Sequence, residues 1–170
     1  MDVCRTMTLL YDQRGLMIEK FSETSIPWLT KSKWIGYSSV CYVLPPLTLH
    51  VASWPLVFLL MALLVQPFVS FYSDYLWSGK QHISHGLDRW LSTSLIIFMI
   101  VISSYHLGWY TIIFATPSIY YLYKGKCAVS QRNYKEYEYN HTLWHLTSPI
   151  CGSIVLWIIQ QKKGNILNFS

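Results

Sequence analysis

Charged residues are scarce in this chain of 170 residues, at 12% of the sequence, where a soluble domain carries about a quarter. Beside 52% hydrophobic and 16% aromatic residues, that scarcity excludes an ordinary water-soluble globule. Disorder is excluded as well, because a chain rich in Trp and Tyr is not too polar to collapse. Cysteine is sparse, and Cys4, Cys41, Cys127 and Cys151 show no CxxC spacing. They read as core thiols, not as a zinc ribbon or a disulfide framework. The start of the chain lacks the apolar stretch and cleavage site of a signal peptide. The peptidase motif HExxH is also missing, since Thr142 stands where its Glu would be. What remains is a series of long apolar runs, the mark of a membrane protein.

Residues 1–33 form a polar N-terminal segment, expected to be short, amphipathic or extended, on the membrane surface. Residues 34–163 carry the membrane body and residues 164–170 a short tail. The expected fold class is all-α, a polytopic transmembrane helix bundle with about five spans, because crossing about 30 Å of hydrocarbon takes about 20 apolar residues. The candidate spans cover residues 34–49, interrupted by Pro45 and Pro46, then 51–72, 82–105, 109–123 and 140–163. Gly108 is expected to end the third. Tyr120, Tyr121 and Tyr123 suit a headgroup interface, and the polar run from Lys124 to Asn140 reads as a wet loop.

Alternation of five spans puts the N-terminal segment, the turn around Gly79 and the loop before the last helix on one side. Ten basic residues flank the membrane there, with Arg89 just inside the third span, against Lys162 and Lys163 on the other side. The positive-inside rule makes the first side cytoplasmic. A net charge of +5 is thus read as a topology signal and not as a nucleic-acid surface.

Ionisable residues within spans cost roughly 2.5–3.5 kcal/mol at the helix centre and are usually functional or paired. Ser73, Asp74, His82, His85, Asp88, Arg89, His141 and His145 all fall at the cytoplasmic end under this alternation. His141 and His145 form an HxxxH pair, whose i,i+4 spacing puts both imidazoles on one helix face and suits two ligands of one metal. A third imidazole is available from His85 or His82, and Asp88 is the natural general base. The bland readings are a chance HxxxH pair, interfacial Asp88 and a snorkelling Arg89. His50 and His106 fall at the opposite end and read as interfacial.

The segment HTLWHLTSPICGS, with Ser73 placed 15 residues before Asp88 and LDRWLSTSLIIF following, resembles a known pattern. It is similar to the superfamily that joins alkaline ceramidases, the progestin and adiponectin receptor and hemolysin III proteins, and the Per1-like proteins. These are seven-helix membrane proteins with a serine and a histidine at the end of helix two, an aspartate opening helix three, and HxxxH in the last helix. The resemblance implies zinc as cofactor, membrane lipids as partners and a lipid amide or ester as substrate. His85, His141 and His145 would be metal ligands, with Asp88 and Ser73 catalytic. The chain departs from the pattern in having Trp77 four residues after Ser73, where the helix-two histidine belongs, and about five spans instead of seven. The alternative reading is a non-enzymatic small membrane protein, or a lipid receptor or sensor, in which the same cluster is a structural clasp.

Overall fold

The computed structural model describes residues 17–24, 26–49 and 54–163. Cys4, His50 and the 164–170 tail, together with residues 1–16 of the polar segment, lie outside the described residues. Among the described residues every regular element is helical. Helix α1 (Lys33–Ser38) runs through a 3-10 turn (Ser39–Val43) into α2 (Leu44–Thr48), and α3 (Trp54–Phe71) ends in a π-helical turn (Tyr72–Leu76). Then come α4 (Ile83–Leu107), α5 (Thr111–Ser130) and α6 (Tyr134–Lys163).

Three helical stretches, Val57–Leu76, Ile83–Ser130 and Tyr134–Lys162, are long and apolar enough to cross a membrane. The second holds both α4 and α5. Gly108 caps α4 with φ 57° and ψ −134°, a conformation open to glycine because it has no Cβ, and the chain turns back there. The two helices run antiparallel, since Ser103, Thr111 and Phe114 line one cavity, whereas Ser92, Ile96 and Leu122 line both it and the adjoining one. At 1.5 Å per residue α4 is about 37 Å long and α5 about 30 Å, each enough for the hydrocarbon core.

The expected first span, residues 34–49, is not one of the three stretches. Pro45 and Pro46 lack the N–H that an uninterrupted helix would need, so the segment is broken into α1, the 3-10 turn and α2. It still follows α6 along its length: Ser38 lies by His145, Pro45 by Gly152, and Gln160 Nε2 donates to the Thr48 carbonyl at 2.6 Å.

The run from Lys124 to Asn140, polar enough to read as a loop, is helical except at Gln131, Arg132 and Asn133. Two local devices fold it. Arg132 has φ 54° and its N–H donates to the Val129 carbonyl, while the Asn133 N–H donates to the Ala128 carbonyl, a Schellman end for α5. Asn133 then caps α6: its Oδ1 accepts from the Glu136 N–H, and its Nδ2 donates to the Glu136 carboxylate, both at 3.2 Å. Helix α6 is about 45 Å long at 1.5 Å per residue, so its charged first turns extend beyond a bilayer core.

The larger buried apolar cluster lies at the end away from those turns, where Leu59 and Leu63 of α3 meet Ile102 of α4 and Val155, Leu156 and Ile159 of α6, and a smaller one of Ile26, Ile35, Ala128 and Tyr137 lies beside the turns themselves. The outer faces are apolar too. Phe58, Phe68, Ile97, Val101, Ile112 and Trp157 are each more than half exposed, a surface that lipid covers more readily than water. Cys41, Cys127 and Cys151 are free thiols and half-buried.

Candidate functional site

The other end of the bundle is polar inside. Gln66 and Ser70 lie four residues apart on α3, and Asp74 follows four later, so helical periodicity stacks the three on one face. All are buried, at 1%, 0% and 6% exposure. In an α-helix neighbouring residues diverge by about 100°. The π turn at Tyr72–Leu76 widens that stretch, and Ser73 and Asp74 are both buried there.

Asp74 meets the HxxxH pair. Its Oδ2 lies 3.0 Å from His141 Nε2 and 3.3 Å from His145 Nε2, and one ligand atom from each of the three residues falls within 4.8 Å of the others. His145 is oriented from behind. The hydroxyls of Ser38 and Ser39 both donate to the Ile35 carbonyl, at 2.9 and 3.1 Å. They therefore accept from His145 Nδ1, 3.1 and 3.4 Å away. With its hydrogen on Nδ1, the imidazole turns the Nε2 lone pair toward Asp74. That buried Nε2 has no hydrogen-bond partner. His145 Nε2 and Asp74 Oδ2 thus face each other at 3.3 Å, with the His145 side chain fully buried and that of Asp74 nearly so.

Asp88, 6% exposed, sits beside this group. Its Oδ1 accepts from Ser70 Oγ at 2.5 Å and from Gln66 Nε2 at 2.9 Å, while its Oδ2 takes part in no hydrogen bond among the described residues. Ser73 Oγ lies 3.1 Å from Asp74 Oδ1 and 2.9 Å from His85 Nδ1, and its single hydrogen serves one of these acceptors at a time. His85 Nε2 donates to the carbonyls of Lys80 at 2.8 Å and Trp77 at 3.2 Å. Both ring nitrogens of His85 are therefore engaged, and it touches the cluster through Ser73. Trp77 stacks on His82, centroids 4.1 Å apart and nearly parallel. His82 caps α4 through Nδ1, which accepts from the Ser84 N–H.

A cavity of about 260 Å³ opens onto Ser73, Asp74, His85, Asp88 and His141. His145 stands behind His141, fully buried. A second cavity of about 160 Å³, lined by Leu95, Met99, Phe114 and Val155, shares Ser92, Ile96, Leu122 and Trp144 with the first. A polar chamber and an apolar slot thus have walls in common.

All five residues singled out in the sequence fall at this one end of the bundle, but in different parts. His141 and His145 sit together with Asp74, a residue not assigned a role from sequence, while His85 is outside that group. Asp88 accepts from Ser70 and Gln66, and Ser73 is turned instead toward Asp74 and His85. The overlooked signal was the polar stripe Gln66, Ser70, Asp74 at i,i+4,i+8 in an otherwise apolar helix. No family model, curated protein or solved structure matches the chain.

Proposed function

We propose that this is a zinc-dependent integral membrane hydrolase acting on a lipid amide or ester, with Asp74, His141 and His145 as the metal ligands. One observation carries the reading: the unpartnered Nε2 of His145 faces the Asp74 carboxylate at 3.3 Å in full burial. A cation between them relieves that opposition. The 3.3 Å between His145 Nε2 and Asp74 Oδ2 is the separation of neighbouring ligands on tetrahedral zinc, which at bond lengths of about 2.0–2.2 Å lie about 3.3–3.6 Å apart, whereas the 3.0 Å His141–Asp74 contact is a hydrogen bond that a bound zinc would open. The donor set of two imidazoles and a carboxylate suits catalytic zinc, and the Ser38 and Ser39 contacts to Nδ1 are the outer-shell support such ligands have.

A zinc ion bound there supplies Lewis acidity, polarising a carbonyl and acidifying water. The chain does the rest. Ser70 and Gln66 hold Asp88 by Oδ1, so Oδ2 is oriented to accept a proton from a water in the chamber and later return it to the leaving group. Ser73 and, through it, His85 fix the second oxygen of Asp74. The apolar slot among α4, α5 and α6 takes the acyl chain and keeps bulk water out, which strengthens the electrostatics of the site.

The same reading takes five passes, with residues 34–49 following α6 as a broken first pass and the N-terminus cytoplasmic. Lys31, Lys33, Lys80, Arg89 and Lys126 belong to segments at the polar end, as a cytoplasmic face requires.

Elemental analysis and turnover of detergent-purified protein test the function. The expected result is one zinc per chain, hydrolysis of acyl amides or esters that stops on chelation, and an Asp88→Asn protein that keeps zinc but loses turnover. A folded protein without zinc would reduce the cluster to a helix clasp, and zinc without turnover would favour a receptor or sensor.

A further inference from the structure

The polar chamber has a cationic rim that the hydrolytic chemistry does not use. Arg89, on α4 one residue past Asp88, and Lys126, near the end of α5, both line the chamber wall. Neither forms an ion pair with a carboxylate among the described residues. Arg89 is not a free snorkelling chain. Its Nη1 donates to the Glu23 carbonyl at 2.8 Å and its Nη2 to the Phe21 carbonyl at 2.7 Å, with the Lys20 carbonyl at 3.5 Å. These are neutral acceptors, so the charge is held in place but not cancelled. A guanidinium has five donors, and these contacts use at most three.

The segment that holds Arg89 is itself fixed at the chamber mouth. The Phe21 ring lies over Gly86, the His82 N–H donates to the Ser22 carbonyl at 3.0 Å, and Thr24 and Ile26 complete the wall. Thr24 Oγ1 accepts from the Ile26 N–H at 3.1 Å, which leaves its hydroxyl hydrogen to donate. Arg89, Lys126 and Thr24 therefore present hydrogen-bond donors and two positive charges around one opening. The two carboxylates of the chamber, Asp74 and Asp88, are buried at 6% exposure each, whereas Arg89 and Lys126 are exposed, so a head group at the rim meets the cations first.

We propose that Arg89 and Lys126 form an oxyanion-binding rim that selects a single-chain lipid with a phosphate or carboxylate head. The head rests at the rim and the chain reaches the apolar slot through the shared wall of Ser92, Ile96, Leu122 and Trp144. This deepens, and rests on, the reading of the site as a lipid-hydrolysing one, whose substrate would then be an anionic acyl lipid and not a neutral one. Lipid binding at the rim can nevertheless be read without turnover.

The test is equilibrium binding to the full-length protein in a neutral detergent, read by native mass spectrometry, with three probes: hexadecyl phosphate, 1-O-hexadecylglycerol and inorganic phosphate. Two partly exposed ion pairs predict that hexadecyl phosphate binds about tenfold more tightly than the uncharged ether, with inorganic phosphate far weaker than either because it lacks the chain. Lys126→Gln and Arg89→Gln should each bring the preference down to about threefold or less. Arg89 also anchors the N-terminal segment, so its variant can lose structure. Lys126 is exposed and anchors nothing among the described residues, and its variant keeps the test decisive. Equal affinity for the two amphiphiles, or an undiminished preference in Lys126→Gln, would overturn the rim. Inorganic phosphate binding as tightly as hexadecyl phosphate would overturn its lipid ligand. Anionic preference without any turnover would leave the rim standing and remove the hydrolase; turnover with equal KM for anionic and neutral acyl substrates would do the reverse.

Discussion

Replacing Asp74 by alanine tests the metal centre most directly, because it separates this centre from one completed by His85. A four-ligand zinc site is worth about 10–16 kcal/mol of apparent binding at neutral pH, or roughly 2.5–4 kcal/mol per ligand. Asp74→Ala and His141→Ala should therefore each weaken zinc binding by about 10²- to 10³-fold. His85 holds two backbone carbonyls and reaches Asp74 only through Ser73, so His85→Ala should cost about tenfold at most, as outer-shell changes do at their mild end. Ser38→Ala should sit near the same value, because Ser39 remains 3.4 Å from Nδ1. Competition with a chelator of known affinity, on protein in detergent, gives the four constants. Loss of zinc in His85→Ala as deep as in His141→Ala would refute the assignment, and so would full retention in Asp74→Ala.

Three further outcomes follow from local geometry. In Gly86→Ala the new Cβ would lie 2.2 Å from the Phe21 ring, so the N-terminal segment should detach and trypsin should cut faster after Lys20; adding Phe21→Ala should restore protection, and a double variant as labile as the single one would count against the clash. Gly108→Ala meets no atom within 4 Å, leaving only the backbone cost at φ 57°, about 1–3 kcal/mol, to be read as a lowered thermal midpoint; an unchanged midpoint would refute it. Five passes put an N-terminal tag in the cytosol and a C-terminal tag across the membrane, and antibody access before and after permeabilisation shows whether both ends share a side.

Much of the fold is legible along the chain because a bilayer constrains sequence strongly: with no water to satisfy backbone groups, long apolar runs form helices. The runs on α3, α4 and α6 identify themselves, and Gly108 announces its turn because few other residues adopt that conformation. Polar composition misled at Lys124 to Asn140, where a Schellman end and the Asn133–Glu136 cap keep charged residues helical. The HxxxH pair could be found from sequence because both imidazoles lie on one helix, where spacing is geometry. Its third member could not be identified that way. Asp74, Ser73 and His85 are all polar residues near helix ends at the same depth, and spacing does not say which one turns toward α6. The π turn decides that: it packs against α1 and α4 and turns the Asp74 carboxylate toward the imidazoles of α6, where the Ser38 and Ser39 hydroxyls fix the His145 ring. Sequence alone determined which residues stand at one end of the bundle, because periodicity and alternation act within a chain segment. Only the tertiary structure decided which side chains meet, because contacts between helices depend on rotation and crossing, which no single segment encodes.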